Sequence, residues 1–291
     1  MKIGVIYPQN ELRGDPLAVR EIGLATEDLG FDHLLAYDHV VGATHDRQPK
    51  LNGPYTENDA FHDPFVMFGY LAGITQRIDF MTGVLILPQR QTVLVARQAA
   101  DVDLLSSERL AMGVGIGWNY VEYDALGQDF GTRGKRVEEQ VGLLRKLWDE
   151  PVVNFEGKFD RVDSAALNPR PKRQIPILLG GFVDIALQRA VAIGDGFICA
   201  DGAADGFAQA ARLHELLDQA GRSSGGFRLH CNMLRAKSPE QVVETARRWS
   251  DEAGGTSVSF STMGQGFSTL GEHLAYMKTV SDALDKAGLK G

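Results

Sequence analysis

The sequence predicts an α/β protein, and within that class a closed (β/α)8 TIM barrel with an insertion after the fourth βα unit. Three observations predict it. Short β-rich runs alternate with helical patterns from one end to the other, eight such pairs can be marked off, and no linker or low-complexity segment interrupts them. Strict alternation implies a parallel sheet with right-handed crossovers, and eight units suit closure better than an open doubly wound sheet. The 291 residues suit one barrel, which typically takes about 250. A single domain over 1–291 is therefore expected.

Each element has its own warrant. KIGVIY (2–7) reads as the first strand and is followed by a helix from about Asp15 to Gly30. DHLLAY (32–37) is the second strand. A long loop over 40–62 comes next, and Asp63 before Pro64 marks a helix start, since proline suits the first helical position. IDFMTGVLIL (78–87) is read as one continuous third strand, with QTVLVARQAADVDLLS as its helix. RLAMGVGIG (109–117) is the fourth strand, followed by a helix from about Gly131 to Asp149.

The insertion, about 150–174, contains VNFEGKFDRV (153–162), which alternates like a small hairpin with Gly157 in its turn. IPILLGG (175–181), with FVDIALQRAVAIG as its helix, restarts the pattern. DGFICA (195–200), FRLHCN (227–232) and TSVSFS (256–261) complete the strands. Helices of about 205–220, 238–253 and 269–287 follow them, the second opened by Ser238 as cap and Pro239.

Composition narrows the function classes. A hydrophobic fraction of 44% and a charged fraction of 23% are those of a globular protein. The net charge of −8 argues against nucleic acid or an anionic membrane as partner. No run approaches the roughly 20 apolar residues of a membrane span, and MKIGVIYPQ is too weakly apolar for a signal peptide. Two cysteines, Cys199 and Cys231, cannot make a disulfide framework. Two free thiols in a reducing cytoplasm are expected.

Barrel active sites lie at the C-terminal ends of the strands. LLAYDHVVG (34–42) puts Asp38 and His39 there if the second strand ends near Tyr37. His39 has the range for proton transfer near neutrality, and Asp38 could accept a hydrogen bond or orient a ligand. Other strands end in Tyr7, in Thr82-Gly83-Val84, in Gly115 and Gly117 running to Trp118-Asn119, in Gly180-Gly181, and in Cys199-Ala200.

A rim so rich in glycine lets a flat or phosphorylated ligand approach the backbone. Gly180-Gly181 before a helix is the best anion site in the chain, with a tight turn as the competing explanation. Tyr7, Tyr55, Phe61 and Trp118 could wall an aromatic pocket, or could simply pack. The run RGKR (133–136) could hold an anionic tail or be solvated surface. His45, Asp46, His62 and Asp63 match no metal-ligand spacing, so no metal is expected.

Taken together, "YDHV", "TGVLILPQR…LVARQAADVDLLS", "GVGIGWNYVEYDALG" and "IPILLGG…ALQRAVAIGDGFI" resemble the luciferase-like flavin monooxygenase superfamily. The likeness runs over about 1–290 and is closer to the branch of oxidoreductases using the deazaflavin coenzyme F420. It implies a cytoplasmic oxidoreductase that moves a hydride between F420 and a small organic substrate at the mouth of the barrel. By the same resemblance Asp38 contacts the deazaflavin ring, and His39 is the catalytic base or a substrate anchor.

Thr82, Gly83 and Val84 would back the ring, with a non-prolyl cis peptide at Gly83-Val84. Gly115, Gly117 and Asn119 would form a ligand loop, and Gly180, Gly181 and Ala200 would hold phosphate. Trp118 stands where the sugar-phosphate dehydrogenases of the branch carry a catalytic Glu, so sugar-phosphate oxidation is not expected. An FMN-dependent monooxygenase supplied by a partner reductase is the alternative, and a coenzyme-binding protein without turnover a further one. Relatives are often dimers, so a homodimer is expected.

Overall fold

The computed structural model describes residues 1–202 and 204–290. In chain order its elements are β1 (Lys2–Ile6), α1 (Pro16–Asp28), β2 (His33–Ala36), α2 (Pro64–Ala72), β3 (Asp79–Thr82), β4 (Leu85–Ile86) and α3 (Thr92–Leu105). There follow β5 (Leu110–Gly115), α4 (Tyr120–Ala125), α5 (Arg133–Asp149), β6 (Val153–Glu156), β7 (Arg161–Ala165), β8 (Ile177–Gly180) and α6 (Asp184–Ile193). The last are β9 (Gly196–Asp201), α7 (Gly206–Gln219), β10 (Arg228–Met233), α8 (Pro239–Ala253), β11 (Ser257–Ser261) and α9 (Leu270–Lys286).

All ladders of the main sheet are parallel, in the order β3-β2-β1-β11-β10-β9-β8-β5-β4, and a pairing of β3 with β5 closes the ring. Strands β3 and β4 are two halves of one stave, so eight staves make the barrel. The sequence predicts one unbroken strand over 78–87; the structure breaks it at Gly83-Val84, where the peptide bond is cis. The β6–β7 hairpin is antiparallel and stands outside the barrel between α5 and β8. No helix among the described residues is long and apolar enough to cross a membrane.

Local chemistry sets the helix starts. Asp15, Asp63, Asn119, Asp205, Ser238 and Thr269 each cap a helix by accepting a first-turn N–H, satisfying donors the helix itself cannot. Along each strand side chains alternate between two cores. Ile6, Leu35, Met81, Ala111, Leu178 and Ile198 pack together in the bore of the barrel. Their strand neighbours, among them Val5, Leu34, Phe80, Met112, Leu179, Cys199 and Phe260, pack outward against the helices.

One side of the bore is polar. His33 Nε2 lies 2.7 Å from Ser259 Oγ, His230 Nδ1 2.8 Å from Ser257 Oγ, and His230 Nε2 3.0 Å from Asn232 Oδ1. Gly4 leaves room for the His33 ring, which a Cβ there would meet at 2.3 Å. Burial pushes both imidazoles down, His230 to about 4 and His33 well below the ordinary range. Both stay neutral near pH 7 and share hydrogen bonds with hydroxyl and amide groups.

Candidate active site

The alternation of β2 continues past its end and separates the residues of the opening motif. Tyr37 packs on the bore cluster with Val84, Leu234 and Met263. Asp38 therefore points away from the bore, and His39 points back in. Asp38 was expected against a cofactor ring. Instead its side chain is fully enclosed: Oδ1 accepts from Arg90 Nη2 at 2.6 Å, and Oδ2 accepts from the Ile86 N–H at 2.9 Å and from Arg90 Nε at 3.3 Å.

Arg90 also reaches Asp63 at 3.1 Å, the residue that caps α2. Burial opposes the guanidinium charge, but the paired carboxylates outweigh it and hold the Arg90 pKa above its ordinary value. This buried network ties the ends of β2 and β4 to the start of α2. Asp38 is a brace for the mouth.

His39 is the group presented to the mouth. Its Nδ1 lies 3.0 Å from Glu122 Oε2, and Nε2 has no partner among the described residues. Three rings surround the imidazole edge-on: Phe61 at 4.7 Å, Tyr55 at 5.1 Å and Trp118 at 5.8 Å between centroids. Tyr55 and Phe61 come from the long loop after β2, Trp118 from the turn before α4. The loop is held down where Tyr120 Oη donates to the Pro49 carbonyl at 2.7 Å and where Gly53 lies flat against the Trp118 ring. Tyr37, half-buried beside His39, keeps its hydroxyl protonated because burial and the nearby Tyr55 raise its pKa.

The other expected residues divide by the same alternation. Tyr7 was expected in the pocket but faces outward; it is fully buried in the helix-side core, near Asp15. Thr82 also faces outward and donates to the Gly113 carbonyl at 2.7 Å. Asn119 is the cap of α4, accepting from the Val121 N–H at 3.1 Å. Gly83 lies against Leu35 in the bore.

Val84 fills a notch made by two glycines. A Cβ on Gly115 would lie 2.5 Å from one of its methyls, and a Cβ on Gly180 2.8 Å from the other. Gly117 turns the chain with φ +66°. Ala200 is half-buried near the end of β9. His45 is committed to the Tyr55 carbonyl at 3.1 Å. Of the RGKR run, Arg133 lies over the Phe130 ring and Arg136 bonds Gln128 and the Arg90 carbonyl.

The turn after β8 fits an anion. The cap residue of α6 is Val183, which makes no side-chain cap bond, so among the described residues its first-turn N–H groups have no side-chain acceptor. Gln209 of α7 steadies the turn by donating to the Gly181 carbonyl at 3.0 Å. Asp184 sits in that first turn, and Arg212 neutralises it at 2.8 Å.

Glu122, Tyr37 and Arg90 are the functional or supporting groups the sequence reading missed. Glu122 had a signal: Asn119-x-x-Glu122 has the spacing of a capped helix start. It opens the short α4, which lies between the expected fourth strand and the helix from about Gly131.

A family model described as luciferase-like monooxygenase matches residues 2–288. An uncharacterized protein of Mycobacterium tuberculosis is 32% identical over 216 residues, 74% of each chain. The F420-dependent glucose-6-phosphate dehydrogenase of Segniliparus rotundus is 29% identical over 262 residues, covering 86% of this chain and 73% of that protein. Among solved structures, monooxygenase RslO1 from Streptomyces bottropensis superposes with a TM-score of 0.82 at 16% identity, covering 98% of this chain and 99% of that one. At that identity the likeness bears on fold.

Proposed function

This chain belongs to the luciferase-like monooxygenase family, whose members are oxidoreductases, and from that premise we propose that it transfers a hydride between coenzyme F420 and a small organic substrate. The observation that carries the reading is His39, an imidazole set in the mouth with one nitrogen held by Glu122 and the other without a partner among the described residues. A hydride transfer to or from an alcohol carbon needs a proton moved at the adjacent oxygen, and an imidazole so placed is suited to it. Bound F420 would supply the hydride chemistry; the protein supplies position, proton and exclusion of water.

The residues present fit such a coenzyme. Val84, wedged between Gly115 and Gly180, offers an apolar surface on one side of the mouth, and the uncapped turn at Gly180-Gly181 offers N–H donors to a phosphate. Tyr37 has a hydroxyl to donate beside His39. The roof of Tyr55, Phe61 and Trp118 keeps water from the reacting atoms and favours an apolar or flat substrate.

The same roof also suits the alternative, an FMN-dependent monooxygenase, since oxygen chemistry on reduced flavin needs a dry enclosure. Paired fluorescence titrations with F420 and with FMN test the reading. Tight F420 with weak FMN binding is expected; tight FMN with weak F420 binding would overturn it.

A further inference from the structure

We infer that Glu122 is a positioning residue that sets the tautomer of His39, keeping the proton on Nδ1 and leaving Nε2 bare toward the mouth. The inference deepens the reading above and rests on it only for the reaction the imidazole serves.

The argument is a count of donors and acceptors. Glu122 is almost wholly buried and both its oxygens are engaged. Oε1 accepts from the backbone N–H of Val40 at 2.6 Å and from that of Val41 at 3.3 Å. Those donors are backbone amides and cannot turn round, so they fix the orientation of the carboxylate. Oε2 is thereby aimed at His39 Nδ1, 3.0 Å away, and a carboxylate facing a ring nitrogen makes that nitrogen the donor. A neutral imidazole carries one ring proton, so Nε2 holds a lone pair.

Nε2 can then take a proton from a substrate oxygen: the O–H bond breaks, the Nε2–H bond forms, and the imidazolium charge lies against Glu122. In the reverse direction the same proton returns to oxygen. Val40 and Val41 are the root of the roof loop, so one carboxylate fixes both the base and the start of the segment that covers it. Among the described residues no side-chain hydrogen bond joins the Asp38-Arg90 brace to Glu122 or to the His39 ring.

Nitrogen-15 spectra of the imidazoles in the coenzyme-free protein near pH 8 test it, with the His39 signals identified by their loss in His39→Gln. The wild type should show a protonated Nδ1 and a bare Nε2. In Glu122→Gln the side-chain carbonyl still serves the two backbone N–H groups, so the amide NH2 must face Nδ1 and force the proton onto Nε2. The tautomer should invert while circular dichroism is unchanged. The kcat of the coenzyme-loaded variant should fall roughly a hundredfold or more with KM little altered.

A wild type already protonated at Nε2, or a Glu122→Gln variant that keeps Nδ1–H, would overturn the inference. The wild-type spectrum suffices for the first even if the variant does not fold. The spectra need no coenzyme, so a failed F420 titration leaves this result standing, and the reverse.

Discussion

Arg90 Nη2 and Asp38 Oδ1 lie 2.6 Å apart, the carboxylate fully enclosed and the guanidinium nearly so. Breaking such a pair leaves an uncompensated buried charge. Asp38→Ala should destabilise the protein by about 3 kcal/mol, and Asp38→Asn, which keeps the shape and one acceptor, by less. Urea unfolding followed by fluorescence measures both. If Asp38→Ala unfolds at the wild-type midpoint yet no longer binds F420, the aspartate is a ligand contact and not a brace.

Val84 makes Gly115 and Gly180 interdependent with it. Gly180→Ala should cost roughly 1–3 kcal/mol through crowding. The same change in a Val84→Ala background should cost at least about 1 kcal/mol less. A double-mutant cycle in which the two effects simply add would show that the notch is not set by Val84.

Two of the contacts that hold the roof loop can be changed one at a time. Tyr120→Phe removes the bond to the Pro49 carbonyl, and Gly53→Ala drives a methyl into the Trp118 ring. Both should speed proteolytic cleavage within 40–62 while leaving the melting temperature nearly unchanged, since the barrel beneath is untouched. Cleavage at the wild-type rate would mean the loop is held by other contacts.

The buried imidazoles give stability a pH slope with a definite sign. Burial lowers the folded-state pKa of His230 to about 4 from 6.5, so between those values the unfolded chain binds the extra proton. Stability is then constant above about pH 6.5 and falls as pH drops towards 4, by about 3 kcal/mol for His230. His33 acts in the same direction. Denaturant titrations from pH 7 to 4.5 should show the fall, and a smaller one for His230→Gln; an unchanged slope in that variant would remove His230 as its source.

How much of this could be read beforehand follows from what each feature looks like in one dimension. The eight staves were legible because buried parallel strands are short apolar runs between turn residues. That same burial hid the orientation of side chains. With both faces apolar, nothing in KIGVIY or DHLLAY says which face is the bore, so the sequence does not tell that Tyr7 and Asp38 face away from it. His39 was found at the mouth because its motif follows a strand. The break at Gly83-Val84 was absent from the secondary-structure reading and came only through resemblance. Glu122 lies 83 positions from His39, on a helix of six residues, and no local pattern joins the two.

The polar half of the bore has a consequence for how the chain finds its alignment. A parallel strand exchanges its two faces with every one-residue slip. A barrel lined only with aliphatic side chains would tolerate that exchange, since the layer outside is aliphatic too. Here a slip of β11 would turn Ser257, Ser259 and Ser261 into the helix layer and press Val258 and Phe260 against His33 and His230. His33 Nε2 would lose Ser259 and His230 Nδ1 would lose Ser257 at once. The serine and histidine stave thus works as a vernier: it accepts one setting of the strands and rejects the two beside it.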